Sequence, residues 1–88
     1  KEEGSILTKP FKLTGGKLLV NVDALWGELG VEALDENAKV IARSTPLSGD
    51  QPGGLVQWAE GNLADMKGRT VSLRFTLRNG QFYSYWME

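Results

Sequence analysis

An 88-residue chain has room for a single hydrophobic core, and 41% hydrophobic with 24% charged residues is the composition of a folded globular domain. Ten Lys and Arg against eleven Asp and Glu leave a net charge of −1, which sets up no field to draw in nucleic acid or an anionic membrane. Cysteine and histidine are both absent, which excludes disulfides, thiolate or imidazole metal sites and the commonest nucleophile–base pairs.

No apolar run approaches the ~20 residues that span a bilayer, and the opening Lys1-Glu2-Glu3-Gly4 lacks the apolar stretch of a signal peptide. A single soluble domain over residues 1–88, with no cofactor and no membrane or nucleic-acid partner, is expected. In chain order, the turn Gly15-Gly16 leads into Leu18-Leu19-Val20-Asn21-Val22, which reads as a strand. Ala24-Leu25-Trp26-Gly27 falls between strands and leaves Trp26 exposed at one end of the fold. Leu29 to Leu34 alternates, with Leu29, Val31 and Ala33 inward, and Asp35-Glu36-Asn37 turns the chain into Lys39–Arg43 as a hairpin.

Ser44 to Gly54 has loop composition, with two prolines, three glycines, Ser48 and Asp50. Leu55–Trp58 reads as a short strand with Val56 and Trp58 on its core face. Asn62 to Gly68 reads as one helical turn, capped by Asn62 and stopped by Gly68. Thr70 to Arg78 alternates without a break over nine residues, which predicts a half-buried strand with Val71, Leu73, Phe75 and Leu77 inward. Asn79-Gly80 then predicts a tight hairpin into an aromatic-rich strand, Gln81–Met87. The sum is an all-β fold: an antiparallel, jelly-roll-like β-sandwich of six to eight short strands with one short helical turn.

The register of the last hairpin decides which aromatics are outward. A two-residue turn sets Leu77 opposite Phe82 and Leu73 opposite Trp86, and buries both aromatics. One extra residue sets Leu77, Phe75 and Leu73 opposite Tyr83, Tyr85 and Met87. The second register is preferred, because those three residues form a continuous apolar set. It turns Trp86 and Phe82 outward beside Arg74 and Arg78, as a patch for a sugar or a partner domain.

Catalysis and metal binding have weaker support in the residues. Asp23 with Glu28, Glu32 with Glu60, and Asp50 are the carboxylates that glycosidic chemistry would need, but they fall at turns or outward strand positions, as solvated charges do. Ser44, Ser48 and Ser72 have no histidine to activate them. Calcium is the one plausible ion, with Asp23, Asn37 and Asp50 as oxygen donors, yet the dense acidic spacing of a calcium loop is missing. No catalytic residue and no metal site is assigned.

The segments Gly4-Ser5-Ile6-Leu7-Thr8-Lys9-Pro10-Phe11, Gly15-Gly16-Lys17-Leu18-Leu19-Val20-Asn21-Val22-Asp23, and Val71 to Arg78 with Phe82-Tyr83-Ser84-Tyr85 carry a resemblance. They are similar to the C-terminal β-sandwich domain of bacterial glycoside-hydrolase-like proteins, in which a family 32-type β-propeller often precedes it. The likeness spans nearly the whole chain and includes a match near Ser48-Gly49-Asp50, while an insertion after Ile41 is missing. Its motifs are a strand opening, a glycine turn and a closing hairpin. The resemblance implies an extracellular or periplasmic parent that hydrolyses glycosidic bonds in another domain. This chain would then be a non-catalytic accessory module that braces the catalytic domain of the same parent chain or helps to hold polysaccharide. Trp26, Trp86, Phe82, Arg74 and Arg78 are the candidate residues for either role. The rival reading is a free-standing protein-interaction domain unrelated to sugars.

Overall fold

The computed structural model describes residues 3–88, with side chains from Gly4 onward; Lys1 and Glu2 of the opening tetrapeptide lie outside the described residues. The chain forms β1 (Glu3–Leu7), β2 (Phe11–Lys12), β3 (Leu18–Leu34), β4 (Val40–Ser44), β5 (Leu47–Leu55), β6 (Trp58–Glu60), a 3₁₀ turn (Leu63–Met66), β7 (Thr70–Arg78) and β8 (Gln81–Met87). Every strand pairing is antiparallel, so the all-β antiparallel class expected from the sequence is the one observed.

The organising element is β3, which joins the two strands expected at Leu18–Val22 and Leu29–Leu34 into one of 17 residues. A straight strand of that length would measure about 55 Å. The longest dimension of the whole domain is 35 Å, so β3 bends. The bend is written in its burial: Leu18, Val20, Val22 and Ala24 are buried, then Leu29, Val31 and Ala33, and the alternation changes phase across Leu25–Glu28. Both inward sets belong to one hydrophobic cluster, which means that the two halves of the strand face a common core.

Strands on both edges follow β3 around this bend. Along one edge, β7 pairs with its second half from Glu28↔Arg78 to Leu34↔Ser72, and β8 with its first half from Leu18↔Met87 to Asp23↔Gln81. Along the other edge, β4 pairs near Leu34 and β5 continues from Leu29↔Leu47 to Leu19↔Leu55. The outer strands β1 and β2 flank β7, and β6 flanks β4.

This arrangement corrects the closing hairpin. β7 and β8 do not pair with each other; they run end to end beside β3, so neither register considered for a hairpin exists. Asn79 does adopt the left-handed conformation, with φ 55°, but it makes a corner rather than a reversal. The backbones are crowded at this corner. A side chain on Gly27 would collide with the carbonyl oxygen of Arg78, and one on Gly80 with the carbonyl oxygen of Asp23. Alternation and a turn-prone dipeptide report extended chain and a kink, but they carry no information about which edge the strand will hydrogen-bond.

The expected loop Ser44–Gly54 is also corrected, since most of it is β5. The edge of β3 supplies backbone partners that offset its poor strand propensity. Pro52 falls in the irregular stretch between Val20↔Gly54 and Val22↔Gln51, where it interrupts no ladder bond. β5 ends at Leu55, and the strand expected over Leu55–Trp58 is broken there. The buried Val56 donates its N–H to the Leu18 carbonyl at 2.9 Å, and Trp58 opens β6, half-buried against the core as expected.

Other local expectations hold. The Asp35 carboxylate accepts the N–H groups of Asn37 (2.9 Å) and Lys39 (3.0 Å) and so fixes the β3–β4 turn. Asn62 caps the 3₁₀ turn through the Ala64 N–H at 3.0 Å, and Gly68 follows with φ +88°. Val71, Leu73 and Phe75 are buried in the core.

Candidate functional site

Pairing with β3 decides the orientation of the β8 aromatics. The register shifts between Asn21 and Val22, which puts Tyr83 in a bulge and turns Phe82, Tyr85 and Met87 toward the core. The Phe75 ring stacks on Phe82 with centroids 4.7 Å apart and meets Tyr85 at 5.0 Å. Phe82 is therefore an inner residue, which corrects its place in the expected outer patch. Trp86 is outward, as expected, although the cause is its pairing with Leu19 rather than a bulged hairpin.

Arg74 and Arg78 do not join Trp86 either. They lie on β7, beside the second half of β3, and bind carboxylates there. Arg74 Nη1 is 2.8 Å from Glu32, whose other oxygen accepts from Arg43 Nε at 3.1 Å, and Arg43 Nη1 reaches Glu60 at 2.8 Å. Arg78 is 3.5 Å from Glu28. Hydrogen bonding to Glu32, reinforced by the charge of Glu60, raises the Arg43 pKa above its ordinary value. The outer face of this half is a solvated charge ladder across β7, β3, β4 and β6, and Glu32 and Glu60 are bridged by Arg43 instead of facing an open cleft.

The oxygen donors weighed for calcium do not converge. Asp23 and Asp50 are cross-strand neighbours, whereas Asn37 lies in the β3–β4 turn. Among the described residues no group of three or more acidic side chains could hold a metal. Ser44 is buried, and its Oγ accepts the Val31 N–H at 2.9 Å, closing the gap in the ladder between β4 and β5.

Tryptophan is exposed at two places, while Tyr83, 57% exposed, lies in the β8 bulge at the cleft beside β1. The first is the corner. Between its pairs with β7 and β8, β3 contains four residues, Ala24 to Gly27, opposite only Asn79 and Gly80. The excess is extruded. Leu25 is 60% exposed and Trp26 86%, beside a shallow depression shared with Asp23, Asn79 and Gln81.

The second place is the outer face of β5, β3 and β8. Residues 19, 21 and 23 of β3 alternate with the buried 18, 20 and 22, so they point outward, and their cross-strand partners share that face. Leu19 lies between Leu55 and Trp86, Asn21 is opposite Ser84, and Asp23 lies between Asp50 and Gln81. Trp86 is 38% exposed, and its Nε1 donates to Glu88 Oε2 at 3.3 Å. A Cβ on Gly53 of β5 would stand 3.9 Å from Trp86 Cη2. Since β5 and β8 are separated by two strand spacings, about 9.6 Å, the indole reaches across β3 above Leu19.

Sequence reasoning missed Leu19, Asn21 and Ser84, and grouped Asp23 with Asp50 only as calcium donors together with Asn37. The alternation of Leu18–Val22 contained the signal for the β3 row, but its neighbours are set by pairings more than 25 residues distant in the chain. A separate cleft of about 500 Å³ lies between β1 and β8, over Phe75, Leu77 and Phe82.

Fold and surface together define an all-β antiparallel domain that displays tryptophan at a corner and on one sheet face. Compared with known proteins, the chain matches no family model, no curated protein and no solved structure.

Proposed function

We propose that this chain is a non-catalytic accessory domain of an extracellular or periplasmic carbohydrate-active protein, whose glycosidic chemistry resides in another domain that this one braces. The observation that carries the bracing role is the corner, where Leu25 and Trp26 are extruded into solvent between the β3–β7 and β3–β8 ladders. Two large apolar side chains there contribute nothing to the core, and burial against a neighbouring domain would remove them from water. The parent class rests on the sequence resemblance. The non-catalytic reading is supported by the absence of histidine and cysteine and by the pairing of Glu28, Glu32 and Glu60 with arginines. A second reading, a free-standing protein-interaction domain, draws on the apolar cleft between β1 and β8.

The test begins with the coding sequence upstream of Lys1, where a glycosidase-like β-propeller is expected. In the longer protein Trp26→Ala should lower the melting temperature of the neighbouring domain and leave the isolated 88-residue chain unchanged. An upstream sequence without such a domain, or a longer protein indifferent to Trp26→Ala, would refute the bracing role.

A further inference from the structure

We infer that the outer face of β5, β3 and β8 is a binding platform for a neutral polysaccharide, with Trp86 as its stacking residue. Three observations converge on that chemistry. The first is the place of the indole: with its Cη2 near Gly53 on the far strand and Leu19 between, it reaches across the sheet and stays partly exposed to solvent. The C–H face of a pyranose or furanose ring is the apolar surface that matches it. The absence of a side chain on Gly53 leaves the edge of the ring uncovered, where a larger residue would stand against it.

The second observation is the polar row beside it. Asn21 and Ser84 form a cross-strand pair one side-chain repeat along β3 from Leu19 and Trp86, a step of about 7 Å. A sugar stacked on the indole thus has an amide and a hydroxyl within reach of its ring substituents or of the next residue in the chain, both able to donate and accept.

The third is charge. Asp23 and Asp50 close the face as a cross-strand pair of carboxylates, while the arginines of β7 and β4 are occupied on the other half of the domain. Two carboxylates can accept hydrogen bonds from sugar hydroxyls but repel uronate, sulfate or phosphate groups. An anionic polymer is thereby disfavoured, and the indole, amide and hydroxyl beside the carboxylates match an uncharged one. Its being a polysaccharide accords with the accessory-domain reading and rests partly on it; the platform itself rests on the pairing register.

The test is affinity electrophoresis of the 88-residue chain through gels containing inulin, xylan or mixed-linkage β-glucan, with polygalacturonate as the anionic control. Retardation by at least one neutral polymer, and none by polygalacturonate, is expected. Trp86→Ala should weaken the binding on the order of tenfold, as for loss of one stacked ring. Asn21→Ala should weaken it less, and Trp26→Ala should leave it unchanged. Should Trp86→Ala fail to fold, Trp86→Tyr, which keeps a flat ring, should fold and retain part of the retardation. Retardation by no neutral polymer, or retardation abolished by Trp26→Ala and untouched by folded Trp86 variants, overturns the platform. The first of these outcomes leaves the bracing role of the corner standing, and the second reassigns the corner to sugar.

Discussion

Phe75→Ala removes the largest fully buried side chain of the core. The ring is 1% exposed, lies in the centre of β7 opposite Val31 and Ile6, and packs on Phe82 and Tyr85. Truncating a buried phenylalanine costs about 3–5 kcal/mol, the larger values belonging to cavities that cannot collapse. Here the space left behind would join the cleft between β1 and β8, which Phe75 already borders, and the half-buried Phe82 can lean into it. Both effects reduce the cavity cost, so the lower part of the range, about 3–4 kcal/mol, is expected. A domain of this size has about 5–10 kcal/mol in total, and the variant should remain folded but marginal. With a urea m-value of about 1–1.5 kcal/mol/M, the midpoint of unfolding should fall by about 2–4 M. Leu73→Ala, buried on the same strand and away from the cleft, provides the comparison. A loss below about 1 kcal/mol for Phe75→Ala would refute its place in the core.

Three other substitutions address separate features. Gly27→Ala places a methyl group against the Arg78 carbonyl and should unfold the domain or greatly lower its melting temperature; Gly30→Ala, three residues on in the same strand with open space around it, should be tolerated. Ser44→Ala leaves the buried Val31 N–H without its acceptor and should cost about 1–3 kcal/mol in chemical denaturation, with faster hydrogen exchange at Val31. The N–H of Lys39, together with that of Asn37, lowers the Asp35 pKa in the folded state. Its stabilisation is thus complete above the unfolded carboxylate pKa of about 4 and lost as pH falls through the lower folded value. Asp35→Asn should flatten the acid limb of a stability-against-pH curve below about pH 4, and an unchanged limb would contradict this.

The all-β class, the buried face of Thr70–Leu77, the Asp35 turn and the Asn62 cap were legible because each depends on residues within a few positions of one another. A period of two marks one face of a strand as apolar, and a side-chain oxygen finds an N–H two or four residues away. Trp26 was legible for the same local reason, lying between two alternating runs of opposite phase. The phase change that bends β3 was present in Leu18–Ala24 and Leu29–Ala33, but it reads equally well as a break between two strands.

What only the tertiary structure decided is the identity of partners. Thr70–Arg78 and Gln81–Met87 have the pattern of a hairpin, and they part company because the two halves of one edge of a bent 17-residue strand together provide a longer ladder than they could make with each other. That choice turns Phe82 inward, sends Arg74 and Arg78 to Glu32 and Glu28, and brings Trp86 over Leu19 toward Gly53. The poor strand propensity of Ser44–Gly54 was likewise outweighed by an available edge. Backbone hydrogen bonds are nearly independent of side-chain identity, so the sequence by itself determined which segments extend and which face is apolar, while the closure of long-range pairs determined which side chains meet.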